Sequence, residues 1–162
     1  HIAKLQLVTG EIIHFHIFDG SQMVCVEREK MRTARLTTLT TIEAAPTYCT
    51  SVGKVFLAYQ DELLVRRIAA GEGLKRRTSN TITNLDRLFE ELAVTRARGF
   101  AIDDEENEIG LRCIGAPVSD AAGRVFAAVS VSGPAARMPD VRLEGLAPLV
   151  MQTAHDISKA LA

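Results

Sequence analysis

The sequence predicts an α+β fold, an antiparallel sheet with helices packed on it. Three observations predict it. Strand-like stretches gather toward the two ends of the chain, and amphipathic helical stretches fill the middle and the C-terminus. Turn sequences, Asp19-Gly20 and Asp120-Ala121-Ala122-Gly123, join neighbouring strands at both ends. In order, EIIHFHIF and SQMVCVER flank Asp19-Gly20, whose residues tolerate the positive φ that a tight hairpin requires. RLTTLTTI, rich in β-branched residues, reads as a third strand ending before Pro46. Val52, Val55, Phe56 and Tyr59 fall on one stripe of a helix, and Leu85, Leu88, Phe89 and Leu92 repeat the spacing. Thr83 is placed to cap the second of these helices and Gly99 to end it. FAID, GLRCIGAPV and RVFAAVSVS read as three antiparallel strands. A last helix carries Leu143, Leu146, Val150, Ile157 and Leu161 on one side, and Pro148 either starts its regular part or kinks it.

Composition narrows the functional classes. The chain has 162 residues, enough for one domain with a proper core, and is 47% hydrophobic and 24% charged. No apolar run approaches the roughly 20 residues of a membrane-spanning helix. Three cysteines, odd in number and widely spaced, fit a reducing cytoplasm better than a disulfide framework. A net charge of −1 with mixed signs offers no basic face for gripping DNA unaided. Lys75-Arg76-Arg77 is too short a cluster to change that and reads as a solvated loop.

CTSVGK, at Cys49–Lys54, looks like the second half of a phosphate-binding loop. A complete loop needs a glycine five positions before Gly53 and a hydroxyl after the lysine, whereas Tyr48 and Val55 stand there. What remains is a helix start. Its unpaired N–H groups suit a carboxylate as well as a phosphate, and Thr50 as a plain cap with Gly53 permitting close packing accounts for the same residues.

The rest of the chain bears on that choice. TSVGK, the Thr81-Ile82-Thr83 helix entry, RARGFAIDDEE, GLRCIGAP and AVSVSGP come in the order found in the effector-binding domain of the IclR family of bacterial transcription regulators, which the chain resembles throughout. FDGSQMVCVER resembles the family's first hairpin. The resemblance implies a single domain over residues 1–162 with a GAF-like (profilin-like) curved antiparallel sheet and a ligand cavity beneath its helices. It also implies an N-terminal winged helix-turn-helix domain, absent from these residues, through which DNA is bound. Residues 1–10 would be the end of the linker helix. The partners implied are a small organic-acid effector and further copies of the chain in a homodimer or homotetramer, without a cofactor.

Carried onto matching positions, the effector site comprises Ser51, Val52 and Gly53 at the helix start, Asp103, then Leu111 and Cys113, then Ser130 and Ser132. Strand geometry agrees, since residues two apart share a face. The acid group is expected on the N–H groups of Ser51, Val52 and Gly53, with polar atoms held by Ser130, Ser132 and Asp103. Leu111 and Cys113 would pack its carbon skeleton. Lys54 is expected to point away, and Asp104, Glu105 and Glu106 to be a solvated acidic stretch. Tyr48, Cys49 and Gly115 depart from the family's usual histidine, alanine and alanine, and the glycine is expected to loosen the wall. A different reading makes Cys113 the nucleophile of a thiol-dependent enzyme, which requires a neighbouring base or cation. His14 and His16 share a strand face at a spacing that suits zinc but lack an identifiable third ligand, so they read as sheet histidines.

Overall fold

The computed structural model describes residues 1–31 and 44–162. Helix α1 (Ile2–Thr9) ends at Gly10, whose φ of 70° and N–H bond to the Gln6 carbonyl close the last turn. Strands β1 (Ile12–Phe18) and β2 (Met23–Glu29) form the expected hairpin. In its turn Asp19 Oδ1 accepts from the N–H groups of Ser21 and Gln22, and Gly20 takes a φ of 107°. The stretch RLTTLTTI, at residues 35–42, lies outside the described residues. A short β3 (Ala44–Ala45) then pairs with β2.

Three helices follow. Helix α2 (Ser51–Leu57) is capped by Thr50. Helix α3 (Glu62–Glu72), which the apolar spacing did not single out, has two local signals: Asp61 as N-cap and Gly73 as its stop. Helix α4 (Leu85–Arg98) ends at Gly99 as expected, with Arg96 and Arg98 in its last turn. Its cap is Asn84, not Thr83: the Asn84 side chain accepts from Arg87 N at 3.1 Å. Replacing Asn84 with alanine is expected to remove about 1 kcal/mol of stability, and Thr83→Ala less than about half of that. Urea titrations of the two variants check the assignment.

Strands β4 (Ala101–Asp104), β5 (Leu111–Ser119) and β6 (Val125–Pro134) complete one sheet ordered β3-β2-β1-β6-β5-β4, with each recorded pairing antiparallel. The long closing helix α5 (Asp140–Leu161) keeps Pro148 inside it. The expected α+β, GAF-like curved sheet with helices on it is therefore the observed architecture.

The period of two sorts each central strand onto two faces. Ile13 of β1, Ile114, Ala116 and Val118 of β5, and Ala127, Val129 and Val131 of β6 pack against Leu5 of α1 and Leu143, Leu146, Val150 and Ile157 of α5. The other face meets α2, α3 and α4 through Val52, Val55, Phe56, Val65, Leu88 and Leu92. At one end of that second face the apolar packing gives way to polar side chains, and the candidate site lies there.

Candidate functional site

Four strands supply the floor. His14 and His16 of β1, Ser130 and Ser132 of β6, Leu111 and Cys113 of β5, and Asp103 of β4 all line a cavity of ≈ 40 Å³. Sheet register makes this a set of rows rather than a coincidence. Asp103 pairs with Cys113 and Cys113 with Ser132, while Gly115 pairs with Ser130 and Ser130 with His14. Directly opposed residues present side chains to one face. The roof is the start of α2, with Thr50, Ser51 and Val52, and the sides are Ala45 and Asn107.

At the roof, Thr50 accepts from Gly53 N at 3.1 Å and donates its hydroxyl proton to the Pro46 carbonyl. The Gly53 N–H is thus already committed, and Gly53 does not line the cavity. A Cβ at Gly53 would stand 2.3 Å from Thr47 Cα, so the glycine lets two backbones touch. The N–H groups of Ser51 and Val52 have no acceptor among the described residues, and both residues are buried. Gly115 does not loosen the wall. Its missing Cβ would lie 3.1 Å from the Ser51 carbonyl carbon and from Ser51 Oγ, so it lets the first turn of α2 settle close onto β5.

Asp103 is 1% exposed. Its Oδ1 accepts from Glu106 N at 2.8 Å and from Asn107 N at 3.4 Å. Burial nevertheless dominates and pushes its pKa up to about 7; the nearby Glu106 carboxylate adds to the rise, and Lys54 opposes it. Ser132 Oγ lies 3.4 Å from His14 Nδ1. Cys113 is buried, and its thiol is pushed well above its ordinary pKa by burial first and Asp103 next. A nucleophilic thiolate needs a cation or base beside it, and the charged groups acting on this one are acids. Among the described residues no group of three or more histidine, cysteine or acidic side chains is placed to hold a metal ion.

One residue of the acidic stretch stands differently from its sequence expectation. Glu106 is not solvated: it is buried, and its carboxylate meets Lys54 Nζ at 2.6 Å. Lys54 lies outside the cavity lining, as expected, and is buried where it also meets Glu91 of α4 at 3.1 Å. Asp104 is exposed, as expected. The basic cluster Lys75-Arg76-Arg77 is exposed and turned to loop carbonyls, Arg77 Nε donating to Asn107 O at 3.3 Å.

Sequence reasoning left His14, His16 and Asn107 out of the site. The alternation of β1 carried the signal for the histidines, because they share parity with Phe18, which packs on the α2 side. Asn107 carried no such signal, since a loop contact of this kind depends on the tertiary fold. A larger cleft of ≈ 600 Å³ opens between the β1–β2 turn and α3. Some of its polar groups are committed: Glu72 accepts from Thr47 N and Oγ1, and Tyr48 Oη donates to the Lys75 carbonyl.

The curved sheet with helices packed on it is the architecture of solved C-terminal domains of bacterial transcriptional regulators. The crystal structure of the C-terminal domain of the E. coli transcriptional regulator KdgR superposes with a TM-score of 0.86 at 34% identity, over 99% of this chain and 93% of that one. The chain belongs to the IclR family: the family model described as bacterial transcriptional regulator IclR C-terminal matches residues 1–159. The HTH-type transcriptional regulator BhcR of Paracoccus denitrificans (strain Pd 1222) is 33% identical over 99% of the chain, which spans 58% of that relative's length. The inducer-binding domain of PobR from Acinetobacter, a double mutant in complex with 3-hydroxybenzoic acid, superposes with a TM-score of 0.87 at 26% identity, over 97% and 93% of the two chains.

Proposed function

We propose that this chain is the effector-sensing and oligomerisation domain of an IclR-type regulator, binding a small carboxylate in the cavity at the start of α2. Occupancy would alter how a homodimer or homotetramer presents N-terminal DNA-binding domains. The observation that carries the reading is the pair of N–H groups at Ser51 and Val52, buried residues that line the cavity over a floor of serines and histidines and have no backbone acceptor among the described residues. Buried donors without an acceptor are costly, and an anion on the first turn of a helix satisfies them. The complex of the PobR inducer-binding domain with 3-hydroxybenzoic acid supports an acid in the corresponding domain of a relative. The small cavity favours short acids here. Ser130, Ser132 and Asp103 hold the remaining polar atoms, and Leu111 and Cys113 pack the carbon atoms. The domain carries no catalytic step in this reading, and the names of the relatives, regulators and repressors, support that.

Asp103 gives the test. With a pKa near 7 it is protonated in mildly acidic solution and donates to a polar atom of the ligand, whose carboxylate, with an ordinary pKa of roughly 4, stays ionised. Above pH 7 Asp103 becomes an anion and repels the ligand. The affinity of a short carboxylate is therefore expected to be flat from about pH 5 to 6.5 and to fall by up to about tenfold per unit above 7. Asp103→Asn should flatten the profile. Isothermal titration at several pH values reads this directly. A profile unchanged across pH 7 in the unmutated chain, or a screen in which only uncharged compounds bind, would overturn the reading. Stability measurements need a baseline at each pH. An acid whose folded pKa is raised removes stability as pH climbs from its ordinary value to the folded one, here from about 4 to about 7.

A further inference from the structure

His16 is a buried polar side chain of the cavity to which the carboxylate reading gives no role. It is 4% exposed and lines the cavity from β1, and neither Nδ1 nor Nε2 has a hydrogen-bond partner among the described residues. Its neighbours on the sheet do not meet that need. The His14 ring lies 5.8 Å away centroid to centroid, tilted by 51°, and the residue opposite His16 on β6 is Ala128. Its place on the strand is also set locally. The β1–β2 register shifts at the Phe15–His16 step, with Phe15 opposite Glu27 and His16 opposite Cys25. Such bulges re-aim side chains next to sites.

We infer that His16 reads a hydroxyl group on the effector, so that the ligand class is short hydroxy acids rather than plain carboxylic acids. This rests on the carboxylate reading above and adds a second anchor to it. In a neutral imidazole one nitrogen donates and the other accepts, and a hydroxyl, which both donates and accepts, can pair with whichever of the two faces it. Burial, His14 and Arg28 together hold the ring's pKa down at about 3, so at neutral pH it presents one of each. An ammonium can pair only with the bare nitrogen, and a second carboxylate only with the N–H. A methyl group pairs with neither, so the nitrogen that faces it stays unsatisfied, and polar sites strongly reject analogues lacking the hydroxyl for this reason. The Ser130 hydroxyl lies on the same face, one strand over, and extends the hydroxyl-reading wall.

The test uses matched pairs: glycolate with acetate, lactate with propionate, 3-hydroxybutyrate with butyrate. Dissociation constants are measured by titration calorimetry on the chain and on His16→Phe and His16→Gln. In the unmutated chain at least one hydroxy acid should bind at least tenfold more tightly than its partner. His16→Phe should bring that ratio to within about threefold, and His16→Gln, which keeps a donor and an acceptor, should retain part of the ratio. The imidazole nitrogen resonances of the unmutated chain should move with the hydroxy acid and stay put with its partner; this readout stands even if a variant does not fold. Equal binding of the two members of every pair would overturn the inference and leave the carboxylate reading intact. So would a preference that survives in folded His16→Phe with unmoved ring resonances. Failure of all six acids to bind would sink both readings.

Discussion

Lys54→Met is expected to remove about 3–5 kcal/mol of stability, although the residue touches no ligand and the new side chain is of similar size. Lys54 is 0% exposed, and its ammonium lies between Glu106 at 2.6 Å and Glu91 at 3.1 Å. Removing it leaves the Glu106 carboxylate buried without a counter-charge, whereas Glu91 is partly exposed and keeps Arg98 at 3.5 Å. Burial already raises the pKa of Glu106, and Lys54 is the main group holding it down, so the variant's carboxyl should take up a proton to stay buried. For a chain of this size each kcal/mol shifts the midpoint by about 2–4 °C, giving a fall of about 6–20 °C. Adding Glu106→Gln to Lys54→Met should recover most of the loss, because the buried charge goes with its partner. A loss below about 1 kcal/mol in thermal or urea unfolding would mean that the ammonium reaches water.

The same ion pair explains how the site is held in place. Glu106 N donates to Asp103, and Thr78 and Thr81 hydroxyls donate to the Glu105 and Glu106 carbonyls. Lys54 therefore ties α2, which carries the roof, to the 103–107 segment, which carries one side. A weakened pair should loosen the cavity as well as the fold.

What the sequence made legible follows the range of each physical signal. Alternation is local and strong, so Leu111 with Cys113 and Ser130 with Ser132 were assigned to one face, and the sheet's register aligned them across strands. Lys54 and Glu106 were not legible as a pair. They are 52 residues apart, and charged residues in a polar run read as solvated until a tertiary contact buries them. Gly115 misled for a related reason: a missing side chain looks like added space, but here a helix turn occupies it. Asn84 and Thr83 were a matter of one residue, the usual uncertainty at a helix end.

Gly53→Ala is expected to remove about 3 kcal/mol or more, against the direction that helix propensity gives. Within a helix, alanine in place of glycine ordinarily adds about 1 kcal/mol. At Gly53 the new Cβ would lie 2.3 Å from Thr47 Cα, 2.4 Å from its carbonyl oxygen and 2.6 Å from its carbonyl carbon. All three are backbone atoms, so no rotamer change relieves the contact, and overpacking of this kind forces the backbone to shift. The opposing segment is not free to retreat. Thr50 Oγ1 bonds the Pro46 carbonyl, and Glu72 binds both the N–H and the hydroxyl of Thr47. Gly145→Ala in α5 is the control, since its Cβ meets nothing within 4 Å, and it should gain up to about 1 kcal/mol. Opposite signs for the two substitutions in matched urea titrations are the expected result. Equal small gains would show that the Thr47 segment yields freely. Because that segment leads directly into Thr50 and Ser51, any Gly53→Ala protein that still folds should also lose ligand-induced stabilisation: the shift that accommodates the methyl group moves the two N–H groups at the roof of the cavity.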